Sequence, residues 1–204
     1  MRIRTIVLAA ALLATVALAT SCGDKGEGAS PSEFSKTTGG TTSYVNTELG
    51  FFFKIDDRFK HADPDKKPMG GRRPDFEVIY RDPDGTKQGG VSVDAFDVSV
   101  NTMDQQTTPD LLRKEKANIE AGFQDVESQT KDLVWTTPVR VRINGLPGWR
   151  IDYTHTAGDT ALKERAYVLY KGDRSYTLTL QSAAATWPDN EPDLQTAAES
   201  FTIQ

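Results

Sequence analysis

The chain has 204 residues, with 24 basic residues, 29 acidic residues and one cysteine, and its formal charge is −5 at pH 7. This acidic balance disfavours a nucleic-acid partner, which requires a basic surface. A single cysteine excludes an intramolecular disulfide, so an ordinary hydrophobic core has to stabilise the fold.

The N-terminus has the pattern of a bacterial secretion signal. Arg2 and Arg4 form a basic start, residues 6–19 are almost entirely apolar, and small residues precede Cys22. The apolar stretch is shorter than the ~20 residues that span a bilayer, which disfavours a transmembrane helix. One alternative is an ordinary secretory signal that is cleaved near Ala19 or Ser21 and leaves a free thiol.

Residues 18–22, Leu-Ala-Thr-Ser-Cys, resemble the lipobox of bacterial lipoproteins, with Ala19 and Ser21 where that pattern prefers Leu and Gly or Ala. The resemblance implies a signal peptide over 1–21, diacylation of the Cys22 sulfur, and a lipid anchor at the extracytoplasmic face of the cell membrane. Two acyl chains are enough for stable anchoring. Removal of the basic start leaves 22 basic and 29 acidic residues, a formal charge of −7.

The lipidated Cys22 is followed by a segment that is rich in Gly, Ser and Thr. This composition predicts a flexible tether over 22–42, with a reach of roughly 25 Å, and one folded domain over 43–204. Phe34 is the large apolar residue of the tether, where it is either a docking residue or a stray apolar side chain.

The first half of the domain contains several segments with the alternation of β-strands. In one of them Phe51, Phe53 and Ile55 face one side and Phe52 faces the other, which predicts a strand covered on both sides or lying beside a helix. The strands are expected at 44–46, 51–55, 76–80 and 90–98, with a loop over 63–75 and an Asp-Pro-Asp-Gly turn over 82–85.

The second half predicts two helices and a meander of strands. Thr108 before Pro109 is a good helix start, and the apolar spacing extends to Gln124. The dipeptide Asn144-Gly145 between alternating segments predicts a hairpin. The strands are expected at 139–143, 148–153, 162–169, 175–180 and 201–203, and the closing helix is expected at 188–200.

The order of several motifs resembles the PsbP-like family. They are Gly-Phe-Phe-Phe-Lys-Ile at 50–55, Asn-Gly-Leu-Pro-Gly at 144–148, Tyr-Val-Leu-Tyr at 167–170, Tyr-Thr-Leu-Thr-Leu at 176–180, and Trp187 before a helix that ends in Glu-Ser-Phe at 199–201. The resemblance covers 44–203 and implies an α+β fold, an antiparallel β-sheet flanked by helices in an α/β/α sandwich. No short catalytic motif defines the family, and its better-understood members bind partners or aid assembly.

Residues with catalytic or metal-binding chemistry are sparse. His61 and His155 have no cysteine or second histidine at metal-ligand spacing, so we expect no metal site, and His155 is predicted to lie at the surface or rim. The segment 82–85 fits a turn better than a calcium loop, since the further ligands of such a loop are missing. Ser175 has no defined base, and no nucleophile elbow occurs. We therefore expect no enzyme and no cofactor.

Three tryptophans are the candidate binding residues. Trp135, Trp149 and Trp187 could line a groove between sheet and helix that holds a small apolar ligand or a peptide. The alternative is that they pack in the core and at its hinges. If the groove exists, removal of Trp149 should weaken ligand binding without unfolding the domain.

These observations together predict a non-catalytic, lipid-anchored extracytoplasmic lipoprotein that presents a PsbP-like domain. Its partners would be the membrane, through the diacylglyceryl group on Cys22, and a protein or envelope component, with no nucleic acid. The alternative is a carrier of a small hydrophobic or envelope-derived ligand in a sheet–helix cleft, and a hydrolase is the third hypothesis.

Overall fold

The structure, a computed structural model, describes residues 33–61, 76–80, 87–88, 91–92, 96–104, 108–127 and 130–204. Two helices lie in these residues, α1 (Pro109–Glu127) and α2 (Trp187–Ser200), and neither is long and apolar enough to cross a membrane. The strands are β1 (Glu33–Thr38), β2 (Thr41–Asn46), β3 (Phe51–Asp56), β4 (Lys60–His61), β5 (Phe76–Tyr80), β6 (Lys87–Gln88), β7 (Val91–Ser92), β8 (Phe96–Asp104), β9 (Val134–Trp135), β10 (Val139–Ile143), β11 (Leu146–Ala157), β12 (Thr160–Lys171), β13 (Arg174–Ala183) and β14 (Thr202–Ile203).

Both predicted helices are confirmed, as are the strands of the meander and the α+β class with its antiparallel sheet and flanking helices. Several other predictions lie outside the described residues. These are the signal peptide over 1–21, the lipidated Cys22, the loop over 63–75 and the turn over 82–85. The predicted strand over 90–98 is described only as β7 and the beginning of β8.

Regular structure begins earlier than the sequence suggested. β1 pairs along its whole length with β2, and the turn between them places Gly39 at φ 62° and Gly40 at φ 80°. Two positive φ angles in succession form the type I′ turn of a tight hairpin. This hairpin overlaps the last residues of the predicted tether over 22–42 and precedes the predicted start of the domain at 43. Threonine fits a strand well once a neighbouring strand pairs with it, which the composition alone did not reveal.

A small antiparallel sheet, ordered β1-β2-β3-β14, joins the N-terminal hairpin to the C-terminus. Phe51, Phe53 and Ile55 of β3 are completely buried, whereas Phe52 is half-buried and Lys54 is exposed. The predicted alternation is confirmed. The backbone N–H of Lys54 donates to Ser200 Oγ at 2.8 Å, so the end of α2 lies beside β3. The prediction that a helix lies next to this strand is therefore also confirmed.

The main sheet has the antiparallel order β10-β11-β12-β13-β8-β5-β4, and β9 also pairs with β11. The hairpin between β10 and β11 turns at Asn144 (φ 46°) and Gly145 (φ 83°), as the sequence predicted. Asn144 Nδ2 donates to the carbonyl oxygens of Glu199 and Phe201 at 2.8 and 2.9 Å. This turn therefore holds the end of α2 against the main sheet.

Each face of the main sheet is covered by its own hydrophobic core. On one face, α2 and the small sheet bury side chains that include Phe53, Leu169 and Leu194. On the other face, α1 packs Ile119 and Phe123 against the sheet. Alternate residues of β12 point into the two cores, as the period of a strand requires. The result is the α/β/α arrangement that the resemblance to the PsbP-like family implied.

Candidate functional site

The three candidate tryptophans lie on opposite faces of the main sheet. Trp135 and Trp149 are half-buried beside the core under α1, whereas Trp187 is buried in the core under α2. A single groove lined by all three is therefore not formed. Trp135 and Trp149 lie in strands, whose alternation sets the face to which each side chain points. Trp187 lies in a helix, and the sequence alone could not show which face of the sheet that helix covers.

Trp187 begins α2 and belongs to a polar network at that end of the helix. Its indole N–H donates to Glu191 Oε2 at 2.9 Å, and Lys163 Nζ lies 5.0 Å from the centre of the ring. A cation at this distance over an aromatic face is stabilising. Trp187 therefore anchors the N-terminal turn of α2 to β12.

Arg165 is the centre of this network. Its Nε lies 2.5 Å from Asp152 Oδ1, and its Nη1 lies 2.7 Å from Glu191 Oε1 and 3.2 Å from Gln195 Oε1. Burial alone would lower the pKa of Arg165, but the hydrogen bond and charge of Asp152 outweigh it and the pKa is raised. The guanidinium thus stays charged and joins β11, β12 and α2, which is a structural role.

A second polar cluster is buried under the α1 side of the sheet, and the sequence reasoning missed it. The Glu164 carboxylate is 5% exposed and accepts hydrogen bonds from the Tyr153 hydroxyl, from His155 Nε2 at 2.7 Å and from Gln181 Nε2 at 2.8 Å. His155 is 3% exposed, so its predicted surface position is corrected. His155 and Glu164 both occupy the inward-facing register of their strands, which was the available sequence signal.

The cluster around Glu164 resembles an acid–base site in composition but is closed. Three donors already occupy the carboxylate, and the stacked rings of Tyr153 and His155, 6.3 Å apart, pack within the sheet–helix layer. In the described part of the chain, no group of three or more His, Cys, Asp or Glu residues could hold a metal ion. This geometry supports a role in folding rather than in chemistry.

The most exposed apolar residues lie along one border of the main sheet. We define residues 134–143, which contain β9 and β10, as the β9–β10 edge. Val134 is 66% exposed and Val139 is 49% exposed, and these are the exposed large hydrophobic residues of the described chain. Val134 pairs with Thr154 and Val139 with Arg150, so both valines point to the α2 side of the sheet.

A β-bulge separates the two strands of this edge. Trp135 pairs with Tyr153 and Val139 pairs with Arg150. Three residues of the edge therefore lie between these pairs, opposite only two residues of β11. Thr136 still lies opposite Asp152, because its N–H donates to the carbonyl of Asp152 at 2.9 Å, so the extra residue falls between Thr136 and Val139. Bulges are typical of sheet borders, where they redirect side chains.

The β9–β10 edge is also the site of two exposed basic side chains. Arg140 pairs with Trp149 and Arg142 pairs with Pro147, which places both arginines on the α1 side. Arg142 Nη1 donates to the carbonyl of Gly145 at 2.8 Å, and neither arginine has an ion pair within the described residues. The edge contains no acidic residue, so it is locally basic in a chain of charge −5.

The antiparallel sheet with its flanking helices agrees with the fold of a known family. A family model for PsbP matches residues 39–203. The chain belongs to the PsbP family. The predicted resemblance is thereby confirmed, and proteins of the PsbP family are generally non-enzymatic.

Solved structures share this PsbP fold at low sequence identity. The PsbP protein of Synechocystis sp. PCC 6803 (CyanoP) is similar with a TM-score of 0.56 and 18% identity, over 91% of this chain and 98% of that chain. LpqN of Mycobacterium tuberculosis, described as involved in cell envelope biogenesis, is similar with a TM-score of 0.52 and 8% identity, over 76% of this chain and 83% of that chain. Such likenesses show the fold alone. The comparison with curated proteins finds no match.

Proposed function

We propose that this PsbP-family chain is a lipid-anchored extracytoplasmic module that binds a protein or envelope partner through its β9–β10 edge. One observation carries the proposal. The exposed large hydrophobic residues of the described chain, Val134 and Val139, lie on one face of this border, and two arginines that have no ion pair among the described residues lie on its other face. Exposed apolar side chains are typical of interaction surfaces, and arginine is enriched there.

The anchor is proposed from the N-terminal sequence. A basic start, an apolar stretch and a lipobox-like segment before Cys22 support diacylation of that cysteine and removal of residues 1–21. The fold is shared with LpqN, a protein described as involved in cell envelope biogenesis. We extend an envelope location to this chain on the combined support of the signal and the fold.

A non-catalytic role is part of the proposal. The buried carboxylate of Glu164 is held by three donors, and Arg165 is held by Asp152 and Glu191. Groups that are committed to such contacts would have to give them up before they could contact a substrate, and an unpaired buried polar group is costly. A binding function therefore fits these two clusters better than a hydrolase.

The carrier hypothesis required open space between the sheet and a helix. Under α1, the ring of Phe123 lies 5.3 Å from the ring of Trp135 and 5.2 Å from that of Tyr153. The described side chains of this layer are thus packed against one another. We find no observation that favours the carrier over the binding module.

The test is a cross-linked pull-down of the intact lipidated protein from membranes, with bound proteins and extractable lipids identified by mass spectrometry. We expect one stoichiometric protein partner that is lost in the variant Val139→Asp and retained in Ala117→Asp, which adds the same charge at an exposed position of α1. A Cys22→Ala variant should release the protein from the membrane fraction.

Two results would contradict the proposal. Retention of the partner by Val139→Asp would remove the edge from the binding surface. A lipid or small molecule that copurifies in stoichiometric amount, without a protein, would instead favour the carrier. Membrane association that persists in Cys22→Ala would separately disprove the lipid anchor.

A further inference from the structure

The β9–β10 edge has the features of a docking site for an additional strand. In the described part of the chain, β10 pairs with β11 alone, so its outer side has no neighbour. An exposed strand of this kind offers unpaired backbone groups to an incoming extended segment. We propose that an extended acidic segment of a partner protein binds there as an added β-strand. This inference rests on the proposed function, because it specifies how the same surface holds its partner.

The register of the hairpin identifies which backbone groups are available. Ile143 and Leu146 flank the two-residue turn and therefore form a hydrogen-bonded pair, and such pairs alternate along an antiparallel ladder. The backbone groups of Val139, Val141 and Ile143 consequently point toward β11. The N–H and C=O groups of Arg140 and Arg142 point outward.

The same register predicts the sequence pattern of the added strand. Its residues directly opposite Arg140 and Arg142 lie on the α1 side of the sheet, where a carboxylate would pair with each guanidinium. Its intervening residues lie on the other side, next to the exposed Val139 and the half-buried Val141. The predicted segment therefore alternates acidic residues with small or medium apolar residues.

A second copy of this chain fits the edge less well. If two β10 strands paired antiparallel about Val141, Arg140 of each copy would stand directly opposite Arg142 of the other. Like charges directly opposite each other destabilise a strand pair. Arginines on an exposed edge thus oppose self-association while they attract an acidic segment.

The probe is a labelled eight-residue peptide of alternating glutamate and valine, and its binding to the intact lipidated protein in detergent is followed by fluorescence anisotropy. The control peptide has the same composition in two blocks, four glutamates followed by four valines. Two variants at one position separate the contribution of the backbone hydrogen bond to peptide binding from that of the side-chain charge. Arg140→Ala removes only the side chain, whereas Arg140→Pro also removes the outward N–H and leaves the bonds to β11 in place.

We expect the alternating peptide to bind and the block peptide to bind much more weakly. Affinity should fall about threefold in Arg140→Ala, through loss of an exposed ion pair. It should fall about tenfold or more in Arg140→Pro, through the additional loss of a backbone hydrogen bond. Hydrogen exchange of the unaltered protein provides a second measurement that needs no variant, and peptide binding should slow exchange at the amides of Arg140 and Arg142.

Strand addition would be overturned if the protein bound the two peptides with equal affinity, or if Arg140→Ala and Arg140→Pro lost the same amount of affinity. It would also be overturned if peptide binding did not slow hydrogen exchange at the amides of Arg140 and Arg142. Dimerisation of the protein through this edge, or binding to phosphatidylglycerol vesicles in place of the peptide, would overturn it as well. If the peptide does not bind while Val139→Asp still loses the membrane partner in the pull-down, only the proposed strand geometry is wrong. If both fail, the edge is not a binding surface.

Discussion

Replacement of Glu164 tests whether the buried polar cluster stabilises the fold. Glu164→Ala would remove the acceptor of the Tyr153 hydroxyl and leave His155 Nε2 buried without its acceptor, whereas the half-buried Gln181 can reach water. Each buried donor without a partner costs about 1–3 kcal/mol. Relief of the desolvation of the carboxylate offsets part of this cost. We expect the free energy of unfolding to fall by about 2–4 kcal/mol.

Urea denaturation at pH 7, followed by circular dichroism, measures this change. In a thermal melt of a domain of this size, the same change should lower Tm by about 5–15 °C. Glu164→Gln keeps the shape and one acceptor oxygen, so its cost should be smaller, about 1–2 kcal/mol. Glu127→Ala, at an exposed position of α1, is the control and should change stability by less than about 0.5 kcal/mol. A loss in Glu164→Ala no larger than that of the control would refute the reasoning.

Two further predictions concern Gly148 in β11 and Glu191 in α2. Gly148→Ala would place a Cβ 2.3 Å from the carbonyl oxygen of Val168 and 2.8 Å from Leu169 Cδ2. We therefore expect the free energy of unfolding, measured by urea titration, to fall by about 2–3 kcal/mol. Unchanged stability would mean that β12 can move aside. Burial would raise the pKa of Glu191, but the hydrogen bond and charge of Arg165 outweigh burial and hold it below its ordinary value of 4.5. The stabilisation is therefore present above pH 4.5 and lost as pH falls through the lowered pKa. Thermal melts from about pH 7 to about pH 3 should show a steeper acid loss in the native protein than in Glu191→Gln, and parallel curves would contradict this. Because Glu191 is partly exposed, the difference at pH 7 should stay below about 1 kcal/mol.

The sequence by itself determined the order and type of most elements. The Asn144-Gly145 turn, the alternation of Phe51, Phe53 and Ile55, and the capped start of α1 are local signals, because turn chemistry and side-chain period act over a few residues. The order of short contiguous motifs also indicated the PsbP family, which the family model confirms. These features needed no knowledge of distant contacts.

Tertiary structure decided which residues meet. β1 forms because its partner β2 follows a Gly39-Gly40 turn, although its composition indicated a tether. Glu164 and His155 meet through the pairing of β11 with β12, and Trp187 lies on the opposite face from the other tryptophans. The position of β10 as the outermost strand depends on the order of the whole sheet. Strand order and face are set by non-local pairing and by burial on both sides, and the alternation of side chains along a strand does not reveal which strand will pair with it.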